Sequence, residues 1–271
     1  MKLSAARIWT NYQDLRRRVP LIHSLTNAVV QDFTANALLA LGASPVMSEV
    51  SEEIDELVQI AGALNLNIGT PMQPSRSAMV QAARAAATHR KPFVLDPVAV
   101  GATRLRQAFV GELLATAVPT VIRGNRAEVS ALAGLGWAGR GVDAGTQAPN
   151  APEAVRTAAA RAGTTVIATG ETDVISDGVR LMTLHNGHPL LTRVTGTGCV
   201  VSAFVAAFLA VEPDPVIAGA GAVSVMNVAA ELAADRAGDR GPGSFRVCLL
   251  DSIDRLQEQD LAARLKLTIL E

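Results

Sequence analysis

Val194-Thr195-Gly196-Thr197-Gly198-Cys199 brings together what chemistry on a phosphate needs: a backbone able to approach an anion, free N–H donors and a side chain able to take a proton. The run behind it, Val200-Val201-Ser202-Ala203-Phe204-Val205-Ala206-Ala207-Phe208-Leu209, is apolar all round and reads as a buried helix over 200–211. The first N–H groups of such a helix lack intrahelical acceptors and carry the positive end of its dipole, so the glycine loop reads as an anion cradle. Cys199 falls in the first turn, where the same field favours thiolate. A base beside a phosphate cradle suggests phosphoryl transfer. The plainer reading is a small core cysteine at a tight junction, and the motif alone leaves both open. A dinucleotide fingerprint is excluded, because the third glycine of G-x-G-x-x-G would fall at Val201.

Two further segments end in residues of the right kind. Phe93-Val94-Leu95 runs into Asp96-Pro97, and Thr120-Val121-Ile122-Arg123 runs through Gly124 into a helix near Asn125, with Glu128 three residues on. Ligands of open α/β sheets gather outside the carboxyl ends of strands, which is where Asp96 and Arg123 point. Asn125-x-x-Glu128 reads equally as a capping box and as a source of a catalytic carboxylate. Phosphoryl transfer needs positioning, charge neutralisation and carboxylates that hold Mg²⁺ directly or through water, and each requirement has a candidate.

The elements that must position these residues alternate along the chain. Residues 3–18 read as a first helix, and Leu25-Thr26-Asn27 as the cap of a second, with Val30, Phe33, Ala37, Leu38 and Leu41 on its apolar face. A short strand at 44–47, a helix opened by Ser51, a strand at 65–68 running into Gly69-Thr70-Pro71 and a helix over 75–90 continue a βαβ rhythm. Residues 134–150 read as a surface loop, 152–162 as a helix and 165–168 as a strand ending at Thr169-Gly170. Asp177-Gly178 and Asn186-Gly187 then mark hairpin turns between strands at 174–176, 179–184 and 190–194, so the parallel sheet gains an antiparallel edge. Helices over 216–236 and around Phe245, Leu249, Ile253 and Leu256 close the chain. No linker divides it, and 1–271 reads as a single domain.

Composition narrows the class. Hydrophobic residues make up 49% and aromatic ones 3%, the filling of a parallel sheet flanked by helices. A net charge of -1 argues against a nucleic-acid surface, Arg16-Arg17-Arg18 being a solvated helix face. Two cysteines without C-x-x-C exclude a disulfide scaffold and structural zinc. No leader is evident and no apolar run reads as a membrane span, so the expected place is a reducing cytoplasm. His23, His89, His185 and His188 default to loop or surface positions.

Taken together in this order, Leu25-Thr26-Asn27, Pro45-Val46-Met47, Leu95-Asp96-Pro97-Val98, Ile122-Arg123-Gly124-Asn125-x-x-Glu128, Gly141-Val142-Asp143, Thr169-Gly170, Thr195-Gly196-Thr197-Gly198-Cys199 and Gly241-Pro242-Gly243-Ser244-Phe245 resemble hydroxyethylthiazole kinases from end to end. The resemblance implies a three-layer αβα ribokinase-like fold and phosphorylation of 4-methyl-5-(2-hydroxyethyl)thiazole by ATP and Mg²⁺ in thiamine salvage. By resemblance Cys199 stands at the catalytic-base position, where many ribokinase-like sugar kinases have Asp. Met47, Gly196, Asn27 and Gly69 would meet the thiazole, and Arg123, Thr169, Thr195 and Gly198 the ATP. Asp96 and Glu128 would be the magnesium-associated acids. The family implies a homotrimer with sites between subunits, which would set Asn27 and its helix beside a neighbour's thiazole. Alternatives are a same-fold kinase for another small alcohol such as hydroxymethylpyrimidine, an ATP-dependent hydrate-lyase, or a non-catalytic nucleotide- or thiazole-binding regulator.

Overall fold

The computed structural model describes residues 3–136 and 151–270. The expected loop lies outside them from residue 137 on, as does Gly141-Val142-Asp143. In chain order the elements are α1 (Ala5–Arg18), β1 (Leu21–Leu25), α2 (Gln31–Leu41), β2 (Ser44–Val46), α3 (Ile54–Ile60), β3 (Ala63–Asn67), α4 (Gln73–His89), β4 (Phe93–Asp96), α5 (Arg104–Thr116), β5 (Val121–Asn125), α6 (Arg126–Leu132), α7 (Ala151–Ala162), β6 (Thr165–Thr169), β7 (Asp173–Ser176), β8 (Leu181–Leu184), α8 (Thr197–Leu209), α9 (Pro215–Ala237), α10 (Pro242–Asp254), α11 (Glu258–Arg264) and β9 (Leu267–Ile269).

The strands form one sheet in the order β2-β1-β3-β4-β5-β6-β7-β8-β9. Pairing is parallel from β2 to β6 and antiparallel from β6 to β9. Strand alternation sorts the core into two layers. Ile22, Ala63, Val94, Val121 and Ile167 pack under α1, α2, α8, α9 and α10, while Leu25, Leu64, Leu66, Leu95, Ile122 and Val166 pack against α3, α4, α5 and α7. With few aromatics, Phe204 and Phe208 of α8 carry much of the first layer, and each is fully buried. Gly219 and Gly221 let α9 lie close, since a Cβ on them would stand 2.6 Å from Ile167 and 2.7 Å from Phe208.

The connection after β1 crosses one face through α2, and that after β3 crosses the other through α4. These strands are neighbours, so the chain opens a crevice at their carboxyl ends, the topological switch point of a doubly wound sheet.

Several expectations are corrected. Residues 21–25 are a strand, and Thr26 and Asn27 do not cap α2, whose N-cap is Val30 without a side-chain bond. His23 is fully buried on β1, its Nε2 2.8 Å from the Ser48 carbonyl. Residues 190–194 are not a third hairpin strand, because Pro189 opens a short 3-10 helix there, and β8 pairs instead with β9. The segment Pro215–Arg240 is long and apolar enough to cross a bilayer, contrary to the sequence reading, but most of it is buried within the protein.

Candidate active site

The same alternation that builds the core places the polar strand ends. Asn67 follows Ala63 by four residues, Asp96 follows Val94 by two, and Arg123 and Thr169 each follow a core residue, Val121 and Ile167, by two. All four therefore sit on the face covered by α8, and α8 packs on β3, β4, β1 and β5. Its first turn meets the strand ends because Gly196 holds φ +92, which an L side chain resists, and because a Cβ there would strike Val30 at 2.6 Å.

A chain of side-chain hydrogen bonds runs across the crevice. Asn27 Nδ2 donates to Asn67 Oδ1 at 2.9 Å and lies 3.6 Å from Cys199 Sγ. Asn67 Nδ2 donates to Asp96 Oδ2 at 2.7 Å, and Ser202 Oγ of α8 donates to the same oxygen at 2.7 Å. Arg123 Nη1 stands 3.8 Å from it, and Arg123 also donates to Thr169 Oγ1. Gly198 abuts the Arg123 guanidinium. The Arg123 Nε is buried with no partner among the described residues.

Gly69 has a steric task. A Cβ there would lie 2.5 Å from Asn27 Nδ2, so only glycine leaves the amide its place. Arg106 pins this corner by donating to the carbonyls of Ile68 and Val98 at 2.7 Å and of Gly69 at 2.8 Å. Met47 is partly buried just beyond β2, on the sheet's outer strand, and takes no part in the hydrogen-bond chain. Thr195 is exposed immediately before the α8 cap.

Glu128 does form the capping box: Asn125 Oδ1 accepts from the Glu128 N–H at 2.9 Å, and Glu128 Oε2 accepts from the Asn125 N–H at 2.7 Å. Its Oε1 accepts from the Ala99 N–H at 2.7 Å, and Ala99 holds a left-handed φ of 54° to present that group.

Burial sets the charges. Asp96 is raised above the ordinary carboxyl value by withdrawal from water, against the pull of Arg123, Ser202 and Asn67. Glu128 is pushed up to about 7, first by burial and then by the negative charge of Asp96. Cys199 goes the opposite way from the helix-terminus expectation. Desolvation and Asp96 push the thiol up to about 12, outweighing Arg123 and the amides of Asn67 and Asn27. Among the described residues no group of three or more His, Cys, Asp or Glu gathers in metal-binding fashion. Two buried carboxylates, one raising the other's proton affinity, nevertheless fit a divalent cation completed by phosphate and water oxygens.

Sequence reading missed Asn67 and Ser202. The available signal was Asn65 and Asn67 two apart in an otherwise apolar strand, which puts two amides on one buried face.

Solved structures identify the fold. A pyridoxal kinase from Staphylococcus aureus is 16% identical with a TM-score of 0.62, over 93% of this chain and 98% of that one. A ribokinase-like superfamily protein from Enterococcus faecalis is 13% identical with a TM-score of 0.63, over 93% and 95%. The architecture is thus ribokinase-like. A model described as the hydroxyethylthiazole kinase family matches residues 12–259. A hydroxyethylthiazole kinase from Granulibacter bethesdensis is 49% identical over 88% of this chain and 86% of its own, and one from Syntrophus aciditrophicus 45% over 98% of each. The solved hydroxyethylthiazole kinase protein from Pyrococcus horikoshii is 41% identical with a TM-score of 0.90, over 98% of this chain and all of that one. The chain belongs to the hydroxyethylthiazole kinase family.

Proposed function

We propose that the chain transfers the γ-phosphoryl group of ATP to the primary hydroxyl of 4-methyl-5-(2-hydroxyethyl)thiazole, in thiamine salvage. The observation that carries this reading is the meeting, in one crevice, of Cys199 in the first turn of α8 with Asp96 and Arg123 on the strand ends beneath it.

In this reading the free N–H groups at the start of α8, with Thr195 and Gly198, cradle the phosphates, and Arg123, held by Thr169, opposes their charge. Met47, Gly196, Gly69 and Asn27 surround a thiazole that asks mainly for an apolar wall and one or two polar contacts. Asp96 and Glu128 would hold Mg²⁺, Glu128 through water because both its oxygens already accept backbone N–H groups. When bound, the ion neutralises phosphate charge. Cys199 orients the acceptor hydroxyl and, in its ionised fraction, receives the proton late, since a loose transition state asks for little early deprotonation. The chain acts as one domain within a homotrimer whose neighbouring subunits share sites, in the cytoplasm.

The test is ADP formation by purified protein with ATP, Mg²⁺ and hydroxyethylthiazole, beside a no-acceptor control, hydroxymethylpyrimidine and a Cys199→Ala variant. Thiazole-dependent turnover is expected, with kcat about 10²-fold lower in Cys199→Ala, little change in KM for the thiazole, and activity kept or raised in Cys199→Asp. Unimpaired Cys199→Ala would remove Cys199 from the mechanism. Turnover with only the pyrimidine would refute the substrate, and binding of both ligands without ADP would refute the enzyme.

A further inference from the structure

Hydrogen-bond bookkeeping fixes both amides of the crevice. The Gly69 N–H only donates, so Asn67 can sit one way: Oδ1 toward Gly69 N at 3.0 Å, Nδ2 toward Asp96 at 2.7 Å. That Oδ1 also accepts from Asn27 at 2.9 Å, which forces the Asn27 amide to turn its NH₂ end inward. One of the two hydrogens on that nitrogen goes to Asn67, and the other is available to Cys199 Sγ at 3.6 Å. Asn67 and Asn27 are both buried, 0% and 6% exposed, so water does not rescue a wrong orientation.

We infer that Asn67 is a positioning residue for phosphoryl transfer, acting through Asn27 on Cys199. With Asn27 flipped, its Oδ1 would face the thiol and capture the S–H. In the orientation Asn67 imposes, the sulfur instead accepts the amide N–H on one lone pair, and another lone pair is left for the proton of the acceptor hydroxyl. Gly69 completes the device by leaving the Asn27 amide its space. The inference rests on the reading that Cys199 meets the acceptor hydroxyl.

Steady-state kinetics of Asn67→Ala, Asn27→Ala and the double variant test it. Thiazole-dependent turnover by the unsubstituted chain is the control that tests the functional reading separately. Asn67→Ala and Asn27→Ala are each expected to lower kcat about 10-fold, and the double variant to fall no more than about 2-fold below Asn67→Ala, because residues acting in series are not additive. KM for ATP stays within about 2-fold, which a general loosening of the fold would not leave. Losses that multiply in the double variant, or an unimpaired Asn67→Ala, would overturn the inference. Should Asn67→Ala not fold, Gly69→Ala serves: its methyl would press on Asn27 at 2.5 Å while sparing the bond from Asn67 to Asp96. The same fall in kcat is expected, with no further loss when Asn27→Ala is added. Full activity of Gly69→Ala would overturn the inference as well.

Discussion

The carboxyl ends of the parallel strands and the antiparallel edge both bury polar side chains, yet they use them differently. At the edge the partners are mostly backbone. Asn186 donates to the Arg264 carbonyl at 2.6 Å and accepts from the Lys266 N–H at 2.6 Å, and Glu231 accepts from the Gly187 N–H at 3.1 Å. Asp173 accepts from the Gly170 N–H at 2.9 Å and from Asn227 at 2.6 Å. These bonds close turns and fasten the last strand to the sheet. In the crevice the partners are mostly other side chains, Asn27 to Asn67, Asn67 and Ser202 to Asp96, and Arg123 to Thr169, and the network ends in a raised thiol and a guanidinium nitrogen without a partner among the described residues. Side chains bonded mostly to backbone fasten the edge, whereas those of the crevice mostly hold one another around unspent capacity, the arrangement a ligand site would need.

The largest effect that would test this contrast is at Asp96, on which Asn67, Ser202 and Arg123 converge. Asp96→Asn keeps the shape, and its amide oxygen can still accept from Asn67 and Ser202, which share one oxygen of Asp96, but the charge is removed. kcat is expected to fall about 10³-fold, as when a group that acts on transition-state charge is lost. Melting should move little, because neutralising Asp96 also relieves Glu128. Near-normal turnover in Asp96→Asn would make the crevice network as architectural as the edge. A smaller effect of the opposite kind is expected at Asn186. Asn186→Ala leaves the Lys266 N–H and the Glu231 carboxylate short of a partner, and denaturant unfolding should show a loss of about 1–3 kcal/mol. Its kcat should stay within about 2-fold of the unsubstituted chain, since surface or edge contacts far from reacting atoms add independently. A kcat loss exceeding the stability loss would break the contrast from the other side.

How far the sequence disclosed these two regions follows the range of the interactions. The glycine loop and α8, the capping box at Asn125 and Glu128, and the strand ends at Asp96, Arg123 and Thr169 are written in local spacing, and they stand where spacing put them. β1 was hidden because His23 and Ser24 interrupt its apolar run, and their polarity is answered by Ser48 and by Asn65, which lie far off in the chain. β9 has three residues and no periodicity of its own; its partner β8 lies more than eighty residues earlier. Helices α5 and α11 carry mixed surfaces and drew no notice. The thiol of Cys199 was misjudged for a related reason. The helix dipole is local and legible, whereas burial and the charge of Asp96 exist only once β4 and α8 are packed together.

The finest test separates the acids of the two regions by pH. Glu128 has a folded value of about 7 against an ordinary 4.5, so between those values the folded chain holds a proton that the unfolded chain has released. Its contribution to stability is complete below 4.5 and is lost as pH rises through 7. Asp96 is raised as well, and Asp173, at the edge, is pushed up to about 6 by burial, so both act in the same direction. The metal-free chain is therefore expected to melt at progressively lower temperature from pH 5 to pH 8. Asp173→Asn and Glu128→Gln should each flatten that slope, Glu128→Gln from a lower starting stability because an amide cannot accept both backbone N–H groups that Glu128 holds. Saturating Mg²⁺ with ADP should then distinguish them. A cation that binds the ionised pair Asp96 and Glu128 stabilises the native state more as pH rises, so it cancels their share of the slope by mass action. It should leave the share of Asp173 in place, since that carboxylate is committed to Gly170 and Asn227. A residual slope that disappears in Asp173→Asn would assign the two acids to chemistry and the third to architecture. A slope unmoved by Mg²⁺ and ADP would return all three to architecture.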